Sequence, residues 1–264
     1  MARRQHLSPR ALRLQQDLGD DRNLIGRHVT ATQFDALPVD RDSSWRLVSR
    51  LIANWFEPAA LPKGIDTDEI RAAELGLGVT VPAALREWYL RYGNLPAVWN
   101  VQDYLLSPSE LTVEDNRLLF ARENQNVVQW SISVADLDRE DPPVAVSDPD
   151  GERGFHAAAS SVTEFAIQLL VLNAKFSDRE LFRASGQIED EVVAAIDAGL
   201  RRLPFPDLHW PPFPTRLYGD HSVIAEVHAS TWLWVTARDR EAFDAVLRIA
   251  DEAGMEWDAV ERPR

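Results

Sequence analysis

The residues best equipped for chemistry are carboxylates. Asp136, Asp138, Glu140 and Asp141 crowd into one short stretch, and Asp148 and Asp150 follow in the turn Asp148-Pro149-Asp150-Gly151. Acids clustered in this way can bind calcium, share a proton for acid–base work, or face a basic partner. The calcium-loop pattern fails, because no bidentate Glu stands at the required distance after Asp150. Catalytic carboxylate pairs need not be sequence neighbours, and nothing in this spacing selects one. Solvated turns and a partner-facing acidic rim are the two readings left open. The histidines are His6, His28, His156, His209, His221 and His228, and no two stand at the i, i+4 spacing of a helical metal site. His221 and His228, which flank one strand segment, read as surface histidines. With no cysteine, disulfides, thiolate zinc sites and a cysteine nucleophile are excluded. The phosphate-loop pattern G-x-x-x-x-G-K-[ST], H-E-x-x-H and the G-x-S-x-G elbow are all missing. Gly76-Leu77-Gly78 opens a dinucleotide pattern, but Val81 stands where its third glycine belongs. No catalytic, cofactor or metal site is expected.

Charge narrows the partner. Lys+Arg of 28 against Asp+Glu of 42 leaves a net −14, which argues against nucleic acid as a partner and permits a basic protein. Only Lys63 and Lys175 are lysines; the Arg and Ala bias reads as a GC-rich, bacterial coding preference. The chain has nine tryptophans. Trp45, Trp55, Trp88 and Trp130 sit on apolar stripes and are expected in the core. Trp99 and Trp210 adjoin loops, where core and surface are both open to them, so Trp99 or the neighbouring Tyr104 is a candidate aromatic anchor for a partner. The longest apolar run, Phe165 to Ala174, is about half of what a membrane span requires. No apolar run follows the early arginines, so no secretory signal is read, and the cytosol is the expected location.

The elements that must hold these residues can be read from periodicity. The 264 residues, 45% apolar and 27% charged, suit a globular protein with a sizeable core. Residues 1–42 lack a period and are expected as a loose extension. Spacings of three and four predict a helix from Ser44 to Phe56. A second helix, Asp68 to Leu75, would be capped by Thr67 and stopped by Gly76 and Gly78. A third would begin at Pro82, with Leu85, Trp88, Tyr89 and Tyr92 on one face and Gly93 as a left-handed cap. Strands are predicted over Trp99–Leu106, Arg117–Arg122, Val127–Val134 and Val144–Val146, with Val128, Trp130 and Ile132 on one face. A capping box at Ser161-Val162-Thr163-Glu164 opens a helix to about Lys175. A helix from Ile188 to Leu203, a Pro-rich connector, strands over Thr215–Leu217, Ser222–His228 and Trp232–Thr236, and a helix after Asp239 complete the chain. The sum is an α+β fold with a mostly antiparallel sheet flanked by helices.

One family has this order of pieces. Leu77-Gly78-Val79-Thr80-Val81-Pro82, Leu85, Trp88-Tyr89-Leu90 and Tyr92-Gly93-Asn94 resemble the opening of the SUKH superfamily, which includes the Smi/Knr-type regulators of yeast cell-wall synthesis. Glu123-Asn124-Gln125-Asn126-Val127-Val128-Gln129-Trp130, Asp136-Leu137 and Asp141-Pro142-Pro143-Val144 are similar to its bacterial members. Two departures are conservative: Val81-Pro82 stands for Leu-Pro, and Tyr92-Gly93-Asn94 for an aromatic residue followed by Asn-Gly. The resemblance covers residues 65–176. It implies a SUKH-like domain over residues 43–176 and a C-terminal helix–hairpin–helix extension, residues 177–264, packed on it. It also implies binding without catalysis, as in immunity proteins that block polymorphic toxins, often nucleases. The resemblance supplies no binding residues. The site candidates Trp99, Tyr104, Asp136, Asp138, Glu140, Asp141, Asp148 and Asp150 rest on loop position and chemistry. A basic toxin domain is the expected partner, and a regulatory scaffold like the yeast proteins is the alternative. A hydrolase would instead require a deep pocket with two close, pKa-shifted acids.

Overall fold

Asp40 starts the first helix. Its carboxylate accepts the Ser43 N–H at 2.8 Å, so α1 spans Arg41–Trp55 and begins three residues before the expected Ser44. A computed structural model describes residues 36–56, 64–147, 154–177, 179–205, 208–210 and 213–263. Most of the expected 1–42 extension lies outside the described residues, as do Asp148 and Asp150; for Trp210 the side chain is not described.

Helix α1 buries the predicted stripe of Trp45, Val48, Leu51 and Trp55. In α2 (Thr67–Leu77) the cap is Asp66, not Thr67, and the helix runs through Gly76 to end at Gly78 with φ 70°. Helix α3 (Ala83–Tyr92) follows Pro82 and buries Leu85, Trp88, Tyr89 and Tyr92, as their spacing predicts. Gly93 is not the left-handed cap expected: its φ is −60°. Glycine is needed there for room, since a Cβ would stand 2.8 Å from both the Tyr89 carbonyl oxygen and Ile65 Cδ1.

The predicted strand Trp99–Leu106 forms only in part. Pro96 opens a single helical turn, α4 (Pro96–Trp99), and the strand that follows is β1 (Asp103–Leu105). Next come β2 (Thr112–Glu114), β3 (Arg117–Glu123), β4 (Gln129–Ser133), β5 (Val144–Ser147) and β6 (Phe155–Ala159). They form a six-stranded antiparallel sheet in the order β1-β3-β4-β5-β6, with β2 also paired to β3. Helix α5 (Val162–Ala174) packs against α1, α3 and α4 and is buried over almost its whole surface, as a helix with apolar residues on every side must be. The core between helices and sheet is aromatic. Trp88 meets Trp99 edge-on at 4.9 Å and lies 6.2 Å from Phe165, which stands 5.5 Å from Trp130. Trp45, Trp55, Trp88 and Trp130 are all buried.

The C-terminal part is larger than a hairpin between helices. It comprises β7 (Phe182–Gln187), α6 (Asp190–Gly199), β8 (Leu208–Trp210), β9 (Phe213–Gly219), β10 (Val223–His228), β11 (Trp232–Ala237), α7 (Arg240–Glu252) and β12 (Ala259–Glu261). These strands make a second six-stranded antiparallel sheet, ordered β12-β7-β11-β10-β9-β8. The expected helix Ile188–Leu203 is shorter at both ends because its flanks bond to the β10–β11 turn and to β9. Ile188 N–H donates to the Thr231 carbonyl at 2.9 Å and Leu203 N–H to that of Leu217 at 2.8 Å. A second apolar core, with Ile196, Val235, Phe243 and Val246, lies under α6 and α7. Leu217 and Ile224 turn to the other side of this sheet and join the first core. The fold is thus α+β, with two antiparallel sheets flanked by helices. Among the described residues no helix is long and apolar enough to cross a membrane.

Candidate functional site

Three helices clamp the acidic segment. After β4, Ser133 Oγ accepts the Ala135 N–H at 3.3 Å and starts a single 3-10 turn, Val134–Asp136. Leu137 is buried and pins the chain. The Glu140 carbonyl then accepts the Ala84 N–H of α3 at 2.8 Å, satisfying one of that helix's free donors. Arg41 of α1 reaches Glu87 and Glu140, both at 3.1 Å. Asp141 accepts the Thr163 N–H at 3.1 Å and its hydroxyl at 2.6 Å, tying down the start of α5. The predicted capping box is half formed. Ser161 Oγ accepts the Glu164 N–H at 3.1 Å, but the Glu164 carboxylate turns to the N–H and hydroxyl of Ser160 rather than to Ser161.

The predicted site residues therefore separate. Asp138 and Glu140 are exposed at the rim. Asp136 is half-buried and pairs with Arg139 at 3.2 Å. Asp141 serves the fold. Tyr104 is half-buried on edge strand β1. Trp99 is 1% exposed, and its Nε1–H donates to the Tyr92 carbonyl at 3.0 Å, so it cannot anchor a partner at the surface. The turn at Pro96 folds Trp99 inward where a continuous strand was expected.

No family model, curated protein or solved structure matches the chain.

A second cluster was not anticipated. Lys175, just past α5, forms an ion pair with Glu226 of β10, and both side chains are almost fully buried. The Lys175 ammonium also lies over the rings of Phe176 and Trp234, at 5.1 and 5.6 Å. Glu226 faces His228 Nδ1 at 3.8 Å, and that nitrogen is 3.0 Å from Thr215 Oγ1. Burial lowers the pKa of His228, against the pull of Glu226. From the first sheet, Asp103 enters the same neighbourhood. Burial pushes its carboxyl up to about 7; Lys175 works against that shift, while Glu123 and Glu226 add to it. Asp103 Oδ1 is buried without a hydrogen bond. Buried Asn173 fixes the backbone here. Its side-chain oxygen accepts the Asp103 N–H at 3.2 Å, and its amide donates to the carbonyls of Val98 and Asp103 at 3.0 and 3.1 Å.

The commitments of these groups limit their chemistry. The Glu123 carboxylate accepts the Gln125 and Val127 N–H groups at 2.8 and 3.3 Å, shaping the Glu-Asn-Gln turn. Glu226 is taken by Lys175. The Lys175–Glu226 pair joins the end of α5 to the second sheet, with Asp103 of the first sheet close enough to feel both charges. Among the described residues no group of three or more His, Cys, Asp or Glu is placed to hold a metal ion. One sequence signal pointed here: Lys175 is one of two lysines among 28 cations, and it closes the most apolar helix. Its partners stand far away in sequence, so no local pattern could name them.

Proposed function

We propose that the chain is a non-catalytic, cytosolic protein-binding module that neutralises a basic toxin domain, such as a nuclease, by covering its substrate groove. The observation that carries the reading is the acidic segment Asp136–Asp141, clamped by α1, α3 and α5 with Asp138 and Glu140 left at the surface. Charges held in place before encounter lose little conformational freedom on binding and steer an oppositely charged partner. The net −14 extends that bias over the whole molecule. The SUKH resemblance supports the same reading, because its bacterial members are regarded as immunity proteins.

The test is a titration of the purified protein with basic nuclease toxin domains at low and high salt. The informative variant is Asp138→Arg with Glu140→Arg, since Asp141 is part of the α5 cap. The wild type is expected to bind one to one, with association that slows as salt rises, and the double variant to bind at least tenfold more weakly. Affinity that is indifferent to salt and to the variant overturns the acidic-segment mechanism. Capture of several cellular regulators with no toxin among them favours the scaffold alternative.

A further inference from the structure

We infer that Asp103 is a proton-operated catch on the junction between the two sheets: while it keeps its proton the Lys175–Glu226 pair stays shut, and when the proton leaves, the pair loosens and the end of α5 opens locally from β10. The inference stands apart from the partner-binding reading, since it uses none of the acids of residues 136–141. It begins with a count of buried charge. Asp103 of β1, Glu123 of β3 and Glu226 of β10 are 6%, 3% and 4% exposed. Asp103 and Glu123 stand opposite each other in the β1–β3 register, where like charges repel. The ammonium that acts on Asp103 is that of Lys175, and it is paired with Glu226. The two remaining acids differ in what holds them. Glu123 accepts the N–H groups of Gln125 and Val127 at 2.8 and 3.3 Å. Asp103 lacks such support: Asn173 bonds its backbone N–H and carbonyl, but the carboxyl Oδ1 is buried without a donor. Of three buried acids, the one with no partner for its charge is the one that gives the charge up. Burial accordingly pushes the Asp103 carboxyl up to about 7, with Lys175 opposing the shift and Glu123 and Glu226 adding to it.

What the proton controls follows from position. Lys175 ends the segment that leaves α5 and Glu226 lies in the second sheet, so their pair spans the junction. The ammonium also lies over the rings of Phe176 and Trp234, which leaves it little water. Neutral Asp103 leaves the pair matched one to one. Ionised Asp103 adds a second anion that competes for the same ammonium, and admitting water to the junction relieves the unmatched charge. Two other cationic groups adjoin the cluster. His228 faces Glu226 at 3.8 Å, but burial lowers its pKa from 6.5, so above that pH it is neutral and does not replace Lys175. Arg183 of β7 is committed to the carbonyls of Lys175, Ser177 and Arg179 at 2.9, 2.5 and 3.1 Å.

The experiment uses the full chain. Its lysines are Lys63 and Lys175, so acylation by an amine reagent, read by peptide mass spectrometry, resolves Lys175 from everything else. Dividing its initial rate at each pH by that of Nα-acetyl-lysine removes the pH dependence of the amine and of the reagent, and leaves the fraction of time the pair is open. That fraction should rise about tenfold from pH 6 to pH 8 and level off above, because Asp103 ionises near its ordinary 3.8 in the open form and near 7 in the closed one. Asp103→Asn should give a flat profile over the same range. Urea unfolding at the same pH values gives the globally unfolded fraction, which the open fraction should exceed at least tenfold. An open fraction equal to the unfolded one overturns the inference, since global unfolding then accounts for all the reactivity. So does a wild-type profile without the rise, or a rise that persists in Asp103→Asn. A stability gain in Asp103→Asn with Lys175 acylation unchanged also sinks the catch, leaving Asp103 a buried acid that controls nothing beyond itself.

Discussion

Replacing Asp103 with asparagine should stabilise the protein, and should do so only as pH rises. Asp103 is 6% exposed, its Oδ1 has no hydrogen-bond partner, and burial raises its pKa from 3.8 to about 7. Lys175 pulls the other way but is already shared with Glu226. Below about pH 4 both folded and unfolded chains carry the protonated acid, and the raised pKa has no effect. Between that pH and 7 the unfolded chain ionises Asp103 while the folded chain keeps it neutral. Folded stability therefore falls by about 1.4 kcal/mol for each step of one in pH, the loss reaches about 4 kcal/mol near pH 7, and it is level above that. An asparagine cannot ionise, so Asp103→Asn escapes this loss. Its new amide has its own hydrogen-bonding needs, but that offset does not depend on pH and cancels when the difference between variant and wild type is compared across pH. Urea unfolding at pH 5, 6, 7 and 8 measures it. The stability of the variant relative to wild type should grow by about 3 kcal/mol from pH 5 to pH 7 and then level off. A difference that stays flat over this range, or an Asp103 carboxyl that titrates near 4 by NMR, refutes the reasoning.

Other perturbations follow from the same geometry. Glu226→Gln, which leaves the Lys175 ammonium buried beside Phe176 and Trp234, should cost about 3–5 kcal/mol in urea unfolding, whereas Lys175→Met with Glu226→Leu should recover most of it. Asp141→Ala removes the acceptor for both the N–H and the hydroxyl of Thr163, and should lower stability by about 1–3 kcal/mol in thermal unfolding. Trp99→Phe puts a smaller ring in a buried site and removes the Nε1–H donated to the Tyr92 carbonyl, so a loss of about 1–3 kcal/mol with no change in partner affinity is expected; weakened binding at unchanged stability would return Trp99 to the surface.

Where pattern and burial share one period, the sequence was legible. The stripes of α1 and α3 and the alternation of Val128, Trp130 and Ile132 led to the right elements and the right buried faces. Misreadings arose where a partner far along the chain decides the outcome. Strand β7 (Phe-Arg-Ala-Ser-Gly-Gln) has little strand character of its own; it forms because β11 and β12 pair with it on either side. Its Gly186 has no local explanation, but a Cβ there would stand 2.7 Å from Met255 Cε. Strand β2 is exposed throughout, so no hydrophobic period marks it. The site follows the same division. The acids of the 136–141 segment were visible as a group, but which are free was not, because Arg41, Ala84 and Thr163, which restrain it, lie on three separate helices.

That division bears on how an acidic surface recognises anything. Of the four carboxylates in the segment, Asp136 is engaged by Arg139, Glu140 by Arg41 and Asp141 by Thr163. Asp138 alone has an exposed carboxylate with no ion pair among the described residues. A raw count of acids thus overstates the charge this segment offers a partner. Glu140 is the exception with most reach: its side chain is 83% exposed while Arg41 is largely covered, so an incoming arginine can approach the carboxylate from solvent without displacing Arg41 from Glu87. Exposed pairs of this kind add little to stability. Their use lies in orientation: Arg41 restrains the Glu140 carboxylate, and a basic partner of the proposed kind would meet a restrained acceptor beside a free one. A charge reversal at Asp138 should therefore act mainly on the rate of association, and one at Glu140 on the rate of dissociation.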